Sequence, residues 1–223
     1  MQAPETKAPP FPILHLDRHC VIIDKPAGLA VHPGPKTPRS LEDHLPALAR
    51  HLGQRRLPTL MHRLDRDTSG CLLLARTGAA TRALARLIEA RRLEKTYLAL
   101  LETCPEDSEG SITAPLAKIS SKADGWRMVI DVKNGKTAIT DWKIVDPAIA
   151  LVSFCPKTGR THQIRVHASC IGGAIVGDPI YGATPGPMRL HAHHLAFTHD
   201  DGTRVHATAP IPPNWHQCKK SQN

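Results

Sequence analysis

The sequence has no pair of cysteines with the spacing of a metal site or of a small disulfide-bonded scaffold. Its six cysteines are spread over 223 residues. Several lie within apolar runs, which is typical of small buried side chains in a reducing compartment. We therefore expect neither zinc ligation nor disulfide bonds.

Long hydrophobic runs are missing as well. No apolar stretch approaches the roughly 20 residues that cross a bilayer, and the proline- and acid-containing N-terminus lacks the apolar segment of a signal peptide. We therefore expect a cytoplasmic protein with no membrane partner. The sequence also lacks internal repeats and a heptad pattern, so nothing indicates a coiled-coil dimer and a monomer is expected.

Negative charge is scarce relative to positive charge. Lys and Arg number 29 against 20 Asp and Glu, which gives a formal net charge of +9. This balance favours a polyanionic partner such as nucleic acid. The positive residues are spread along the chain without a dominant block, so general solubility explains the charge equally well. With 41% hydrophobic residues the chain is long and apolar enough to bury a core.

Many predicted strands and few helices indicate an α+β fold on a largely antiparallel or mixed sheet. Strands are predicted over 13–16, 20–23, 29–31, 71–75, 95–101 and 150–154. A hairpin is predicted around Asn134-Gly135, between strands over 126–133 and 136–145.

Helices are predicted over 40–50, over 79–92, and from a cap at Thr161 to Gly172-Gly173. Pro46 must break or kink the first of these. Residues 1–12 and 215–223 are predicted to be flexible tails around one domain over 13–214.

One charged segment indicates chemistry. The block HRLDRDTSG at 62–70 is followed at once by the apolar run at 71–75. It places the carboxylate of Asp65 in an arginine-rich turn directly before a predicted buried strand. Nearby arginines favour the ionised carboxylate, and the strand anchors the turn. Asp65 is therefore the candidate nucleophile.

Seven segments in sequence order resemble the RluA-type pseudouridine synthases, which isomerise uridine in RNA. These segments are LD at 16–17 with CVIIDKPAG at 20–28, HRLDRDTSG at 62–70, KTYLA at 95–99, GRTHQIRVH at 159–167, GDPIYG at 177–182, LHAHHL at 190–195 and APIP at 209–212. The resemblance implies a sheet in two halves with a central catalytic cleft, few flanking helices, no metal and no organic cofactor. Many relatives carry an additional N-terminal RNA-binding domain of the S4-like kind, and we expect a compact member without it.

The resemblance also implies roles for individual residues. Asp65 corresponds to the catalytic aspartate, and Asp67 is then a turn or capping acid. Arg165 corresponds to the arginine that pairs with the catalytic aspartate, through a bidentate contact. Tyr97 corresponds to the active-site tyrosine, which stacks on the uracil and takes or relays the proton from its C5 atom.

Further residues are expected to contact the RNA, whose target uridine must be flipped out. Arg63 is expected to fill the gap or clamp the backbone, and Ile164 to form an apolar wall for the flipped ring. His62 is interpreted as a hydrogen-bonding support or an RNA contact. Arg160 and Lys25 are expected to meet phosphates.

The functional interpretation leaves alternatives open. The main one is a synthase acting on a stem-loop of tRNA or rRNA, with Asp65 attacking either the ribose C1′ atom or the uracil C6 atom. A catalytically silent RNA-binding protein and a base-excising glycosidase are the others. No DNA partner is expected. The histidines within 191–194 are not interpreted as a zinc site, because further ligands at ordered spacing are missing.

Overall fold

The computed structural model describes residues 8–34, 37–121, 125–213 and 215. Within these ranges the strands are β1 (Ile13–Leu16), β2 (Cys20–Lys25), β3 (Thr59–Leu60), β4 (Ser69–Ala75), β5 (Glu94–Leu100), β6 (Glu109–Thr113), β7 (Leu116–Ser121), β8 (Gly125–Ile130), β9 (Ile139–Asp146), β10 (Leu151–Pro156), β11 (Leu190–Thr198) and β12 (Arg204–Thr208). The α-helices are α1 (Leu45–His51), α2 (Gly78–Glu89) and α3 (Gln163–Ala168). Short 3-10 helices lie at Leu41–His44 and Pro147–Ile149. None of these helices is long and apolar enough to cross a membrane.

The first of two compact units contains the described residues up to Glu94 and the segment His194–Ala209. Its strands β1, β2 and β4 lie side by side, β3 pairs with β4, and β12 pairs with the later part of β11, all antiparallel. Buried side chains from these strands, among them Ile22, Leu73 and Phe197, pack against Leu84 and Leu87 on one face of α2. This core holds the turn that precedes β4.

The second unit contains Lys95–His193 and the described residues from Pro210 onward. Its strands follow the order β5-β10-β9-β6 with antiparallel pairing, and β7 and β8 form a separate two-stranded sheet. Helix α3 packs into a second core, whose buried members include Ala99, Val152, Phe154, Ile164 and Ala168. The prediction of an α+β fold with a mostly antiparallel sheet and few helices is confirmed. The central cleft stays a prediction.

The two longer predicted helices form for local reasons. In α2, the side chain of Thr77 accepts a hydrogen bond from the Ala80 backbone N–H and caps the helix, and the apolar residues follow at helical spacing. The helix predicted over 40–50 forms in two pieces, a 3-10 turn and then α1. Pro46 lies in the first turn of α1, where its missing N–H leaves no hydrogen bond unmade.

The predicted hairpin at Asn134-Gly135 is wrong. Strand β8 pairs with β7, whereas β9 pairs with β6 and β10, so these residues join two sheets instead of two paired strands. The chain still turns here, because the carboxylate of Asp131 accepts hydrogen bonds from the backbone N–H groups of Lys133 and Asn134. The turn was predicted correctly, and the strand partner was not.

Both predicted tails reach too far into the domain. Phe11 is 4% exposed and packs edge-to-face on His44, with ring centroids 5.3 Å apart. Trp215 is 3% exposed and packs in a cluster with Leu100. The domain boundaries at 12/13 and 214/215 are therefore corrected, since burying an aromatic ring ties its segment to the core. Residues 1–7 and those after Trp215 lie outside the described part.

Two smaller predictions also differ from the structure. Residues 29–31 form no strand, although the carbonyl of Ala30 accepts a hydrogen bond from the Leu41 N–H. Helix α3 is capped by His162 instead of Thr161, and His162 adopts a left-handed conformation with φ of 53°. The shift moves the first turn of α3 by one residue.

Candidate active site

Asp65 lies in the turn between β3 and β4 of the first unit. Its backbone carbonyl accepts a hydrogen bond of 3.2 Å from the Thr68 N–H, which closes the turn, and Leu64 beside it is 4% exposed. Gly70, the second residue of β4, has a φ of 105°, a conformation that glycine adopts without strain. The side chain of Asp65 is half-buried. The turn is thus fixed on both sides of the predicted nucleophile.

The structure contradicts the expected RNA contact of Lys25. This side chain is fully buried, and its ammonium donates hydrogen bonds to the carbonyl oxygens of Pro26 (2.8 Å), Leu29 (2.8 Å) and Arg66 (3.0 Å). An ammonium has three N–H donors, and all are used within the protein. Lys25 therefore holds the turn after Asp65 against the loop that follows β2, and it does not reach a phosphate.

Burial also lowers the pKa of the Lys25 ammonium. Loss of solvent lowers its pKa to about 8, although the carboxylates of Asp67, Asp65 and Asp24 oppose that shift. The same carboxylates therefore experience a buried positive charge at neutral pH. This cation near Asp65 was missed by reasoning from the sequence, which attributed the charge of the turn to its arginines alone.

The charged neighbours of Asp65 differ in their partners. Arg66 donates to both carboxylate oxygens of Asp67, at 3.0 and 3.1 Å, and this contact raises the pKa of Arg66. Asp67 is thereby held by the turn itself. Arg63 is exposed. His62 is fixed by the sheet, because its Nε2 atom accepts a hydrogen bond of 3.1 Å from the Leu73 N–H.

In the second unit, Arg165 is bound to a carboxylate that the sequence reasoning did not assign. Its Nε and Nη2 atoms donate to the two oxygens of Asp178, each at 2.7 Å, and both side chains are buried. Asp178 also accepts the backbone N–H groups of Ile180 and Tyr181. Burial alone would raise the pKa of Asp178, but the hydrogen bonds and charge of Arg165 hold it below its ordinary value.

Tyr181 links this ion pair to the start of α3. The guanidinium carbon of Arg165 lies 5.1 Å from the centre of the Tyr181 ring. The Tyr181 hydroxyl accepts the Met128 N–H at 2.9 Å and shares a hydrogen bond of 2.9 Å with Nδ1 of His162. The His162 ring stacks on Trp126, with centroids 4.9 Å apart. The block GDPIYG, which carries Asp178 and Tyr181, was the available sequence signal.

The remaining predicted residues of the second unit are Tyr97, Ile164 and Arg160. Tyr97 is half-buried on β5 and packs against the second core, of which Ile164 is a buried member. Arg160 donates from Nε to the Thr137 carbonyl at 3.0 Å. Gln163, at the start of α3, accepts the Arg160 backbone N–H and fixes the loop before the helix.

Two groups of side chains contain residue types that bind metal ions. The donor atoms of His15, Asp17 and Cys20 lie within 4.8 Å of one another in the part of the chain described. Hydrogen bonds account for this group, because one Asp17 oxygen accepts the Cys20 N–H and the other contacts His15. In the other group, His193 and His194 are adjacent on β11 and therefore point to opposite faces.

Comparison with known proteins identifies relatives over most of the chain. A family model described as RNA pseudouridylate synthase matches residues 19–170. An uncharacterized RNA pseudouridine synthase of Zymomonas mobilis is 46% identical over 207 residues, covering 90% of this chain and 93% of that protein.

A second relative is longer than this chain. The ribosomal large subunit pseudouridine synthase D of Nitrosomonas europaea is 38% identical over 223 residues, covering 92% of this chain and 62% of its own length. Among solved structures, human RNA pseudouridylate synthase domain containing 4 is similar with a TM-score of 0.77 and 26% identity, over 92% of this chain and 90% of that one.

Proposed function

The chain belongs to the RNA pseudouridylate synthase family and is an isomerase, and we propose that it converts one uridine of a structured RNA to pseudouridine. The observation that carries this proposal is the family match over residues 19–170, a range that includes Asp65, Tyr97 and Arg165. We propose a stem-loop of tRNA or rRNA as the substrate. The name of the Nitrosomonas europaea relative supports testing rRNA first.

The proposed reaction exchanges one glycosidic bond for another within the same nucleotide. The uridine is first flipped out of the RNA, which costs on the order of a few kcal/mol. Asp65 then attacks the ribose C1′ atom, and the electrons of the broken N1–C1′ bond pass to uracil N1. Alternatively, Asp65 adds to the uracil C6 atom, the electrons of the C5–C6 double bond pass into the ring as an enolate, and the N1–C1′ bond then breaks. After the ring turns, C5 bonds to C1′, the C5 proton leaves, N1 gains a proton, and Asp65 is regenerated.

Other residues support this chemistry in the proposal. Tyr97 stacks on the uracil and takes or relays the C5 proton. Arg165 orients Asp65 while it remains bound to Asp178, since a guanidinium carries five N–H donors and Asp178 accepts from only Nε and Nη2. Exposed Arg63 is proposed to occupy the space that the flipped base leaves.

Ile164 and Arg160 complete the proposed RNA-binding set. Ile164 is 7% exposed and is proposed to form an apolar wall against the uracil. This wall also helps to exclude water from the detached base. Arg160 is held at Nε by the Thr137 carbonyl and is proposed to meet a phosphate through its other guanidinium nitrogens.

The test is release of tritium from RNA labelled at uridine C5, isolated from cells that lack this gene. We expect release by the wild type and none by Asp65→Asn, with the RNA affinity of that variant within roughly tenfold of wild type, because phosphate contacts supply most of the binding. Asp67→Asn is the matched control. It removes a carboxylate two residues away whose partner is Arg66, and it should keep most of the activity.

Each alternative gives a different result in this assay. Free uracil together with abasic ribose would identify a glycosidase. RNA binding without tritium release from any cellular RNA would identify a silent binding protein. If the synthase is active, carbodiimide mapping of pseudouridine in RNA from cells with and without the gene names the modified uridine.

A further inference from the structure

Lys95 lies two residues before Tyr97 on β5. Because side chains alternate along a strand, these two residues share one face. On this face Tyr97 packs against the second core, which includes Ile164 of α3. Lys95 therefore extends the surface that carries the proposed uracil-binding residues.

The ammonium of Lys95 lies beside the loop that leads into α3. A Cβ atom placed on Gly159 would be 3.9 Å from Lys95 Nζ. Lys95 is half-buried, and loss of solvent alone lowers its pKa. Arg160 follows Gly159 in this loop, so a second positively charged residue is adjacent in sequence to the glycine that Lys95 approaches.

Unlike the ammonium groups of Lys25, Lys143 and Lys157, the ammonium of Lys95 makes no hydrogen bond and no ion pair within the part of the chain described. Lys25 donates to backbone carbonyls, and Lys143 pairs with Glu109 at 3.1 Å. A partly dehydrated ammonium without a counter-ion is unfavourable until an anion binds next to it. The face of β5 that carries Tyr97 thus also carries a positive charge that favours binding of an anion.

We propose that Lys95 binds a backbone phosphate of the RNA next to the flipped uridine. The proposal rests on the proposed function and adds a residue to it. A phosphate fits better than a uracil carbonyl because its charge offsets that of the ammonium, and charge-assisted hydrogen bonds are the stronger ones. Lys95 then fixes the position of the target nucleotide while Tyr97 contacts its base.

The experiment compares Lys95→Met, Lys95→Arg and the control Lys143→Met. Lys143 is a surface lysine on β9 whose partner is Glu109. The substrate is RNA labelled with tritium at uridine C5 from cells lacking the gene, and kcat and KM are measured over a range of salt concentrations. Thermal melting establishes that each variant is folded.

We expect Lys95→Met to lower kcat/KM by roughly tenfold, mainly through KM. The slope of log kcat/KM against log salt should flatten by about 0.7 to 0.9, the value for one lost phosphate contact. Lys95→Arg should restore most of both quantities, because it keeps the charge, and Lys143→Met should match the wild type.

A wild-type salt slope in folded Lys95→Met would overturn the proposal. So would a fall in kcat with an unchanged slope, because that result assigns Lys95 to the base or to a reacting group instead. If the wild type releases no tritium, the proposed function fails, and filter binding of the same RNA by the same variants still decides whether Lys95 contacts a phosphate.

Discussion

Asp178→Asn should destabilise the protein by about 3 to 5 kcal/mol, the usual cost of removing one partner from a buried ion pair. The carboxylate accepts hydrogen bonds from Arg165, Ile180 and Tyr181, and its side chain is inaccessible to solvent. An asparagine has the same shape, but its NH₂ group must face one set of these donors. In either orientation the buried guanidinium of Arg165 loses the negative charge that accepts from its Nε and Nη2 atoms.

The assay is urea unfolding followed by tryptophan fluorescence at pH 7. A loss below about 1 kcal/mol would refute the reasoning, because it would mean that water or another group compensates Arg165. The double variant Arg165→Met with Asp178→Leu removes both charges. It should regain most of the stability, since an apolar pair of similar volume is often as stable as the ion pair, and it should release no tritium if Arg165 acts in the reaction.

The pair also predicts a pH dependence of stability. Arg165 holds the pKa of Asp178 below its ordinary value of 3.8, so the unfolded chain takes up this proton first as pH falls. The stabilisation is complete above the unfolded pKa and is lost as pH falls through the folded pKa. The stability difference between wild type and Asp178→Asn should therefore be constant above pH 5 and shrink below about 4. A constant difference down to pH 2 would contradict this assignment.

Three further predictions concern stability. Burial lowers the Lys25 pKa from 10.5 to about 8, so the unfolding free energy of the wild type should rise with pH between these two values. Lys25→Met should lack this rise in urea unfolding. Equal slopes of unfolding free energy against pH for the two proteins would contradict the prediction. Gly70→Ala, at φ of 105°, should cost about 1 to 3 kcal/mol, whereas Gly78→Ala in the first turn of α2 should be neutral or stabilising in the same assay. Trp215→Ala should cost about 3 to 5 kcal/mol of unfolding free energy, and an unchanged melting temperature would show that its packing is unimportant.

The parts of the fold that were predicted correctly depend on local signals. The spacing of Leu84 and Leu87, with Thr77 as the cap, determines α2 within one stretch of sequence. The apolar run after Gly70 likewise determines β4. Strand pairing is not local. The turn at Asn134 was visible in the sequence. The partner of β8 was not, because β8 pairs with the earlier strand β7 in a separate sheet.

The candidate site shows the same division between local and distant contacts. Asp65 was chosen as the candidate nucleophile because the residues of its turn are consecutive in the sequence. Lys25 was misassigned because lysine is rarely buried, and only the fold brings the Arg66 carbonyl to its ammonium. Asp178 was not assigned a role because nothing in the sequence says which acid neutralises Arg165. A buried arginine requires such an acid, but it is selected by tertiary packing.

The pairing of Arg165 with Asp178 bears on how this kind of enzyme can evolve. The two opposite charges lie inside one unit and offset each other there. On the proposed function, a single nucleotide change that turns Asp65 into asparagine removes the chemistry and leaves this buried ion pair in place. A gene duplicate can thus pass from modifying a transcript to merely binding it through a change that spares the ion pair.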